Sequence, residues 1–170
     1  MDKAALAEIE HAVNIYDGAV KTGCDVLDVI LAEKSLYCER NGIVLTVIAD
    51  GSKLQFMGQF DVYSLFENAI SNAIEAVNKE EDREKRFIRL RVDAPAGMVC
   101  IHAENYCPVP PVFVNGLPKT TKKDINYHGF GVRSMQMIVE KYGGGLSAHV
   151  ERDIFNLDIA IPLPAAVGEK

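Results

Sequence analysis

Apolar positions along the chain fall into a few well-separated periodicities. Leu6, Ile9, Val13, Tyr16 and Val20 recur at alternating spacings of three and four, a heptad seam on a first helix of about five turns. Such a seam suits either a helix laid on the domain's own core or a contact with a second helix or a second chain. Gly23 breaks the pattern. Val26, Leu27, Ile30, Leu31 and Leu36 then form the apolar side of a helix predicted over Asp25–Arg40, with Asn41-Gly42 as its stop. The run GIVLTVIADGSKLQFMG reads as two strands around Asp50-Gly51, a hairpin signal. Asp61 stands where it can cap the next helix, predicted to run to about Asn78.

After a charged run, KEEDREKR, that suits a solvated helix end and loop, two strands follow in RFIRLRVDAPAGMVCIHAEN, joined through Pro95 to Gly97. From Tyr106 to Tyr127 periodicity vanishes, and a loop of that length inside a compact domain is usually functional or disordered. A helix over Gly131–Tyr142 ends at Gly143 to Gly145, and two last strands turn near Arg152-Asp153. Paired strands alternating with single helices predict a two-layer α/β sandwich: a mixed sheet with helices packed on one face. The expected division is an N-terminal helix over 1–23 and one domain over 24–170.

Totals narrow the picture. A chain of 170 residues, 48% hydrophobic and 25% charged, has the balance of a soluble globular domain. The net charge of −6 argues against nucleic acid as the main partner, while leaving room for one anion in a locally basic pocket. Cys24, Cys38, Cys100 and Cys107 lack C-x-x-C spacing, which suggests reduced cytosolic thiols. No apolar run approaches a membrane span, and charges interrupt the N-terminus too early for a signal peptide.

Three features point to chemistry. Asn68 and Asn72 lie four apart on one face of a helix that is otherwise apolar, although Asn is a poor helix former. Something polar should meet them, such as a hydrated Mg²⁺ that takes oxygen ligands; alternatively, both amides hold loop backbone. Gly129 and Gly131 open a helix, where free N–H groups and the helix dipole suit an anion, with His128 and Arg133 adding positive charge. The loop before it carries Lys119, Lys122 and Lys123 and, from Cys107 to Lys123, no acidic residue. Such a loop is either solvated surface or a phosphate-seeking lid.

In this order, LFENAISNAIEA, a strand ending in AEN, a long loop and HGFGVRSM resemble the ATP-binding catalytic domain of sensor histidine kinases, within the GHKL superfamily that includes gyrase and MutL. The resemblance spans roughly Asp61 to Pro164. DVILAEK and LPKTTKKD…HGFGV are similar to the peptide-sensing, quorum-type branch. It implies a Bergerat-type ATP-binding fold, with ATP and Mg²⁺ as ligands, Asn72 as magnesium ligand, and Asn68 at the catalytic position one turn earlier. It also implies that Asn105 reads adenine where most members carry aspartate, and that Gly129, Gly131 and Val132 contact phosphate, assisted by Lys122, Lys123, His128 and Arg133. A second glycine box late in the domain is missing.

An amide at Asn68 cannot act as a general base, and Glu67 points about 100° away around the helix. The residues therefore argue for phosphoryl transfer to a histidine, which is nucleophilic at neutral pH without a base. His11 is followed by Ala12 rather than an acidic residue, so the acceptor is expected on a dimerisation domain preceding Met1. His102 and His149 fall on strands, as packed or surface residues. The implied partners are that domain, a response regulator and, through the N-terminal helix, a second copy. The implied setting is the cytoplasmic part of a membrane-anchored protein. The alternative is a degenerate module of the same fold, used for dimerisation or partner binding without nucleotide turnover. A kinase of protein serine or threonine, needing a base at Asn68, ranks last.

Overall fold

The computed structural model describes residues 21–119 and 131–165. The heptad seam, His11, Lys122, Lys123, His128 and Gly129 lie outside the described residues. Three helices, α1 (Asp25–Arg40), α2 (Gln59–Asn78) and α3 (Gly131–Lys141), cover one face of a five-stranded sheet. Its strands are β1 (Val44–Ala49), β2 (Phe87–Asp93), β3 (Met98–Tyr106), β6 (Gly145–Glu151) and β7 (Ile154–Pro162), in the order β1-β2-β3-β7-β6. Only β1 and β2 run parallel; the other neighbours are antiparallel. The predicted two-layer sandwich with a mixed sheet is therefore the architecture observed.

The helices follow their apolar stripes, except that Leu36, expected on the apolar side of α1, is exposed. Val62, Leu65, Phe66, Ala69, Ile70, Ala73, Ile74 and Val77 of α2 are all buried, at the spacing of one helical face, over β3 and β2. Phe66, fully buried, contributes about 2–3 kcal/mol by leaving water. α1 and α3 flank α2. Both end in the same way. In α1, Ile43 N–H bonds Cys38 O and Gly42 N–H bonds Glu39 O; in α3, Gly144 N–H bonds Val139 O and Gly143 N–H bonds Glu140 O. These are Schellman motifs, and they need a left-handed residue, supplied by Gly42 (φ +65°) and Gly143 (φ +74°).

Three expectations change. Asp50-Gly51 does not turn a hairpin. The Asp50 carboxylate accepts from the Ser52 N–H and hydroxyl, which winds Gly51–Leu54 into a 3₁₀ turn that buries Leu54 and then Met57. β1 finds its partner in β2 instead, with α2 as the crossover a parallel pair requires. Asp61 does not cap α2: the helix starts two residues earlier, with Gly58 at the cap, and Asp61 sits in its first turn. The segment after Tyr106 contains a small hairpin, β4 (Phe113–Val114) and β5 (Leu117–Pro118), turned by Asn115-Gly116 with both φ positive.

The sheet face opposite the helices is polar. Arg89 pairs with Glu104, and the His102 ring lies between Asp158 (Nδ1–Oδ1, 2.7 Å) and Glu104 (Nε2–Oε2, 3.3 Å). Burial works to lower the His102 pKa, but the Asp158 and Glu104 carboxylates outweigh it and raise it above 6.5. Burial likewise works to raise Glu104, and Arg89 and His102 outweigh it and lower it below 4.5. The stabilisation from protonated His102 is complete below pH 6.5 and is lost as pH rises through the raised value. That from ionised Glu104 is present above pH 4.5 and is lost on acidification. The cluster therefore stabilises most between these limits. The melting temperature is expected to fall more steeply above pH 6.5 in the native chain than in His102→Gln; identical slopes would contradict this.

Candidate functional site

The two asparagines of α2 meet the first residue of α3. A Cβ added to Gly131 would stand 3.1 Å from Asn68 Oδ1, 3.6 Å from Asn72 Nδ2 and 3.7 Å from Asn72 Oδ1. Glycine is what allows the backbone of α3 to start this close to the amides. The spacing has a local cause. Positions four apart project from one helix face, and Ser64, four before Asn68, continues the row, its hydroxyl 3.4 Å from that of Ser134 on α3.

The Asn68 amide is oriented from below. Its Nδ2 donates to Ser64 O at 2.7 Å, so its oxygen is the atom turned toward the start of α3. Asn72 is exposed, and among the described residues its amide has no hydrogen-bond partner. A buried polar pair would have been a cost; a half-buried oxygen and an open carboxamide beside the start of a helix instead offer the kinds of group that a hard cation and an anion take. Val132 is partly buried and packs against the core, and Arg133 is exposed one residue further on with no ion-pair partner among the described residues.

Asn105 lies on the helix-facing side of β3, in line with Val99, Ile101 and Ala103, and is 4% exposed. Thr22 is the other buried polar residue among those described, and it is held by Asp28 and Cys24. The Asn105 Nδ2 donates to Tyr106 O at 3.0 Å, and no described residue donates to its Oδ1. The β2–β3 register pairs Asn105 with Ile88, at the end of the sheet where the chain enters from α2. Asn105 therefore marks the C-terminal end of α2, and the pair Asn68–Asn72 its middle.

Glu67 faces the other way. Its Oε1 accepts from Lys34 Nζ of α1 (2.8 Å) and from Ser71 Oγ (2.9 Å), and its Oε2 is buried without a partner among the described residues. It is thus committed to α1 and away from Gly131. The structure brings together Asn68, Asn72 and Gly131, with Val132 and Arg133 beside them, and sets Asn105 further along α2. Ser64 was missed from sequence, although its i−4 spacing to Asn68 was a usable signal.

The sequence profile of the family described as GHKL domain matches residues 57–162. No curated protein sequence matches the chain significantly. Among solved structures, a nucleotide-free form of the catalytic domain of histidine kinase ThkA superposes with a TM-score of 0.61 at 15% identity, covering 82% of this chain and 92% of that one. The histidine kinase domain of the E. coli osmosensor EnvZ gives 0.52 at 18% identity, covering 85% and 88%. That of a blue-light activated histidine kinase from Erythrobacter litoralis gives 0.52 at 15%, covering 96% and 76%. At these identities the likeness is one of fold.

Proposed function

This chain belongs to the GHKL domain family, and we propose on that premise that it is the ATP-binding catalytic part of a histidine kinase. In this reading it binds Mg·ATP and passes the γ-phosphoryl group to a histidine carried on a dimerisation domain, from which a response regulator takes it. The observation that supports the reading is the closeness of Gly131 to Asn68 and Asn72, where an added Cβ would stand 3.1 Å from Asn68 Oδ1, since a helix start of the kind that suits an anion lies beside two amides.

Asn72 offers the oxygen ligand for Mg²⁺, which when bound neutralises charge on the phosphates. The N–H groups at Gly131 and Val132 receive phosphate oxygens, with Arg133 beside them, and the sequence resemblance adds Lys122, Lys123, His128 and Gly129 as phosphate contacts. Asn105 receives the adenine amino group on its free oxygen. Tyr106 O holds the Asn105 amide nitrogen, so the residue presents an acceptor as aspartate would, without its charge. This favours a working nucleotide site over a degenerate one.

The Asn68 position itself carries an amide, the adjacent Glu67 is bound to Lys34, and Asp61, two turns before Asn68 on the same face, is held by Lys141 and Tyr142. Water is therefore not activated. An incoming neutral imidazole needs no base: its ring nitrogen bonds to γ-phosphorus as the bond to the leaving ADP oxygen breaks, and positioning with charge neutralisation carries the step. The closeness of LPKTTKKD…HGFGV to the peptide-sensing quorum-type branch is part of the same proposal, as is a membrane anchor elsewhere in the protein; no helix of the described residues is long and apolar enough to cross a membrane. Calorimetry is expected to show one Mg·ATP per chain with micromolar-to-millimolar affinity, roughly −8 to −4 kcal/mol, and minimal hydrolysis. Absence of Mg·ATP binding would overturn the reading.

A further inference from the structure

The helices that form the site touch again at their other ends, and there the contact is a polar knot. The Tyr142 hydroxyl accepts the Gly58 N–H, the donor at the N-cap of α2 (2.9 Å), and donates to Asp61 Oδ2 in the first turn of that helix. Lys141 Nζ reaches the same oxygen at 2.7 Å. The Tyr142 ring stacks edge-on against Phe56, centroids 5.8 Å apart at 85°. Asp61 is only 15% exposed on its side chain, whereas Lys141 is 63% exposed.

One end of α3 is therefore tied to α2 by Tyr142 and Asp61, and the other end, Gly131, sits against Asn68. The helix is about 15 Å long. A tilt of about 4° about the tied end moves Gly131 by roughly 1 Å, and displacement on that scale costs a phosphoryl-transfer site up to about 100-fold. Between the ends the contact is mostly apolar, with Ser64 facing Ser134 at 3.4 Å, which fixes separation better than tilt. A hydroxyl that both accepts from the N-cap and donates to the first turn fixes orientation, because hydrogen bonds are directional.

We propose that Tyr142 and Asp61 are positioning residues for the phosphate end of the nucleotide site: through the Gly58–Tyr142–Asp61 knot they set how closely Gly131 approaches Asn68 and Asn72. This rests on the nucleotide reading above. Lys141, an exposed partner of the same carboxylate, contributes little, as exposed ion pairs do.

The test uses the full 170-residue chain. Tyr142→Phe keeps the ring on Phe56 and removes the hydroxyl; Asp61→Asn keeps the shape; Lys141→Gln is the control. Calorimetry with Mg·ATP and with adenosine separates phosphate from base. The expected result is about tenfold weaker Mg·ATP binding in Tyr142→Phe and Asp61→Asn, unchanged adenosine binding, and no change in Lys141→Gln. The native chain failing to bind Mg·ATP would overturn the nucleotide reading alone. The positional claim has its own readout, since the side-chain amide resonances of Asn68 and Asn72 should shift in Tyr142→Phe more than those of Asn105. Equal loss of Mg·ATP and adenosine affinity, tracking the melting temperature, would reduce the knot to a structural staple and overturn the inference, as would unmoved Asn68 and Asn72 resonances.

Discussion

Asn72→Ala is expected to weaken Mg·ATP binding by about 100-fold and to abolish phosphoryl transfer to a histidine-bearing partner, with no loss of stability. A lone oxygen ligand from the protein has this leverage because Mg²⁺ takes few protein groups and keeps the rest of its shell as water and phosphate. Stability should behave oppositely. Asn72 is exposed and unpartnered among the described residues, and alanine is the better helix former by about 0.5 kcal/mol. A variant that melts at or above the native temperature yet no longer shifts on adding Mg·ATP would separate function from folding in one experiment. ATP binding without magnesium should change little. Native-like Mg·ATP affinity in Asn72→Ala would remove magnesium ligation from this residue and weaken the kinase assignment.

Local grammar made much of this fold legible. The bounds of α1 follow from its apolar stripe and the Asn41-Gly42 stop, β2 follows from the alternation over Phe87–Val92, and Pro95–Gly97 marks the turn into β3. Asn68 and Asn72 stood out because two poor helix formers on a buried-looking helix contradict propensity, and such contradictions tend to mark sites. Asp50-Gly51 misled because the same dipeptide serves a hairpin or a 3₁₀ turn. What decided between them was the Asp50–Ser52 bonding and the pairing of β1 with a strand 43 residues away, Val44 against Phe87. Long-range pairings leave no local trace. For the same reason the Tyr142–Asp61 knot, 81 residues apart in sequence, and the approach of Gly131 to Asn68 became visible only in three dimensions. The roles of Lys122, Lys123, His128 and Gly129 rest on the sequence resemblance, since they lie outside the described residues.

In the proposed reading, the amide at Asn68 is what makes this site transfer phosphoryl groups rather than hydrolyse ATP. Asn68→Glu tests it by gain. The new side chain loses the Nδ2 donor that holds Asn68 to Ser64 O, and a carboxylate there is repelled by that same carbonyl. It should swing toward Gly131, where the Asn68 oxygen now points and where a water could reach the terminal phosphate. A positioned general base contributes roughly 10²- to 10⁴-fold to proton transfer, so ATP hydrolysis is expected to rise by about 100-fold while transfer to a histidine-bearing partner falls. The double variant Asn68→Glu, Asn72→Ala should lose the gained hydrolysis, which separates a built active site from a contaminating ATPase. Unchanged hydrolysis in a variant that still binds Mg·ATP would mean that something other than a missing base keeps water inactive here, and exclusion of water by the segment between Lys119 and Gly131 would then be the explanation to pursue.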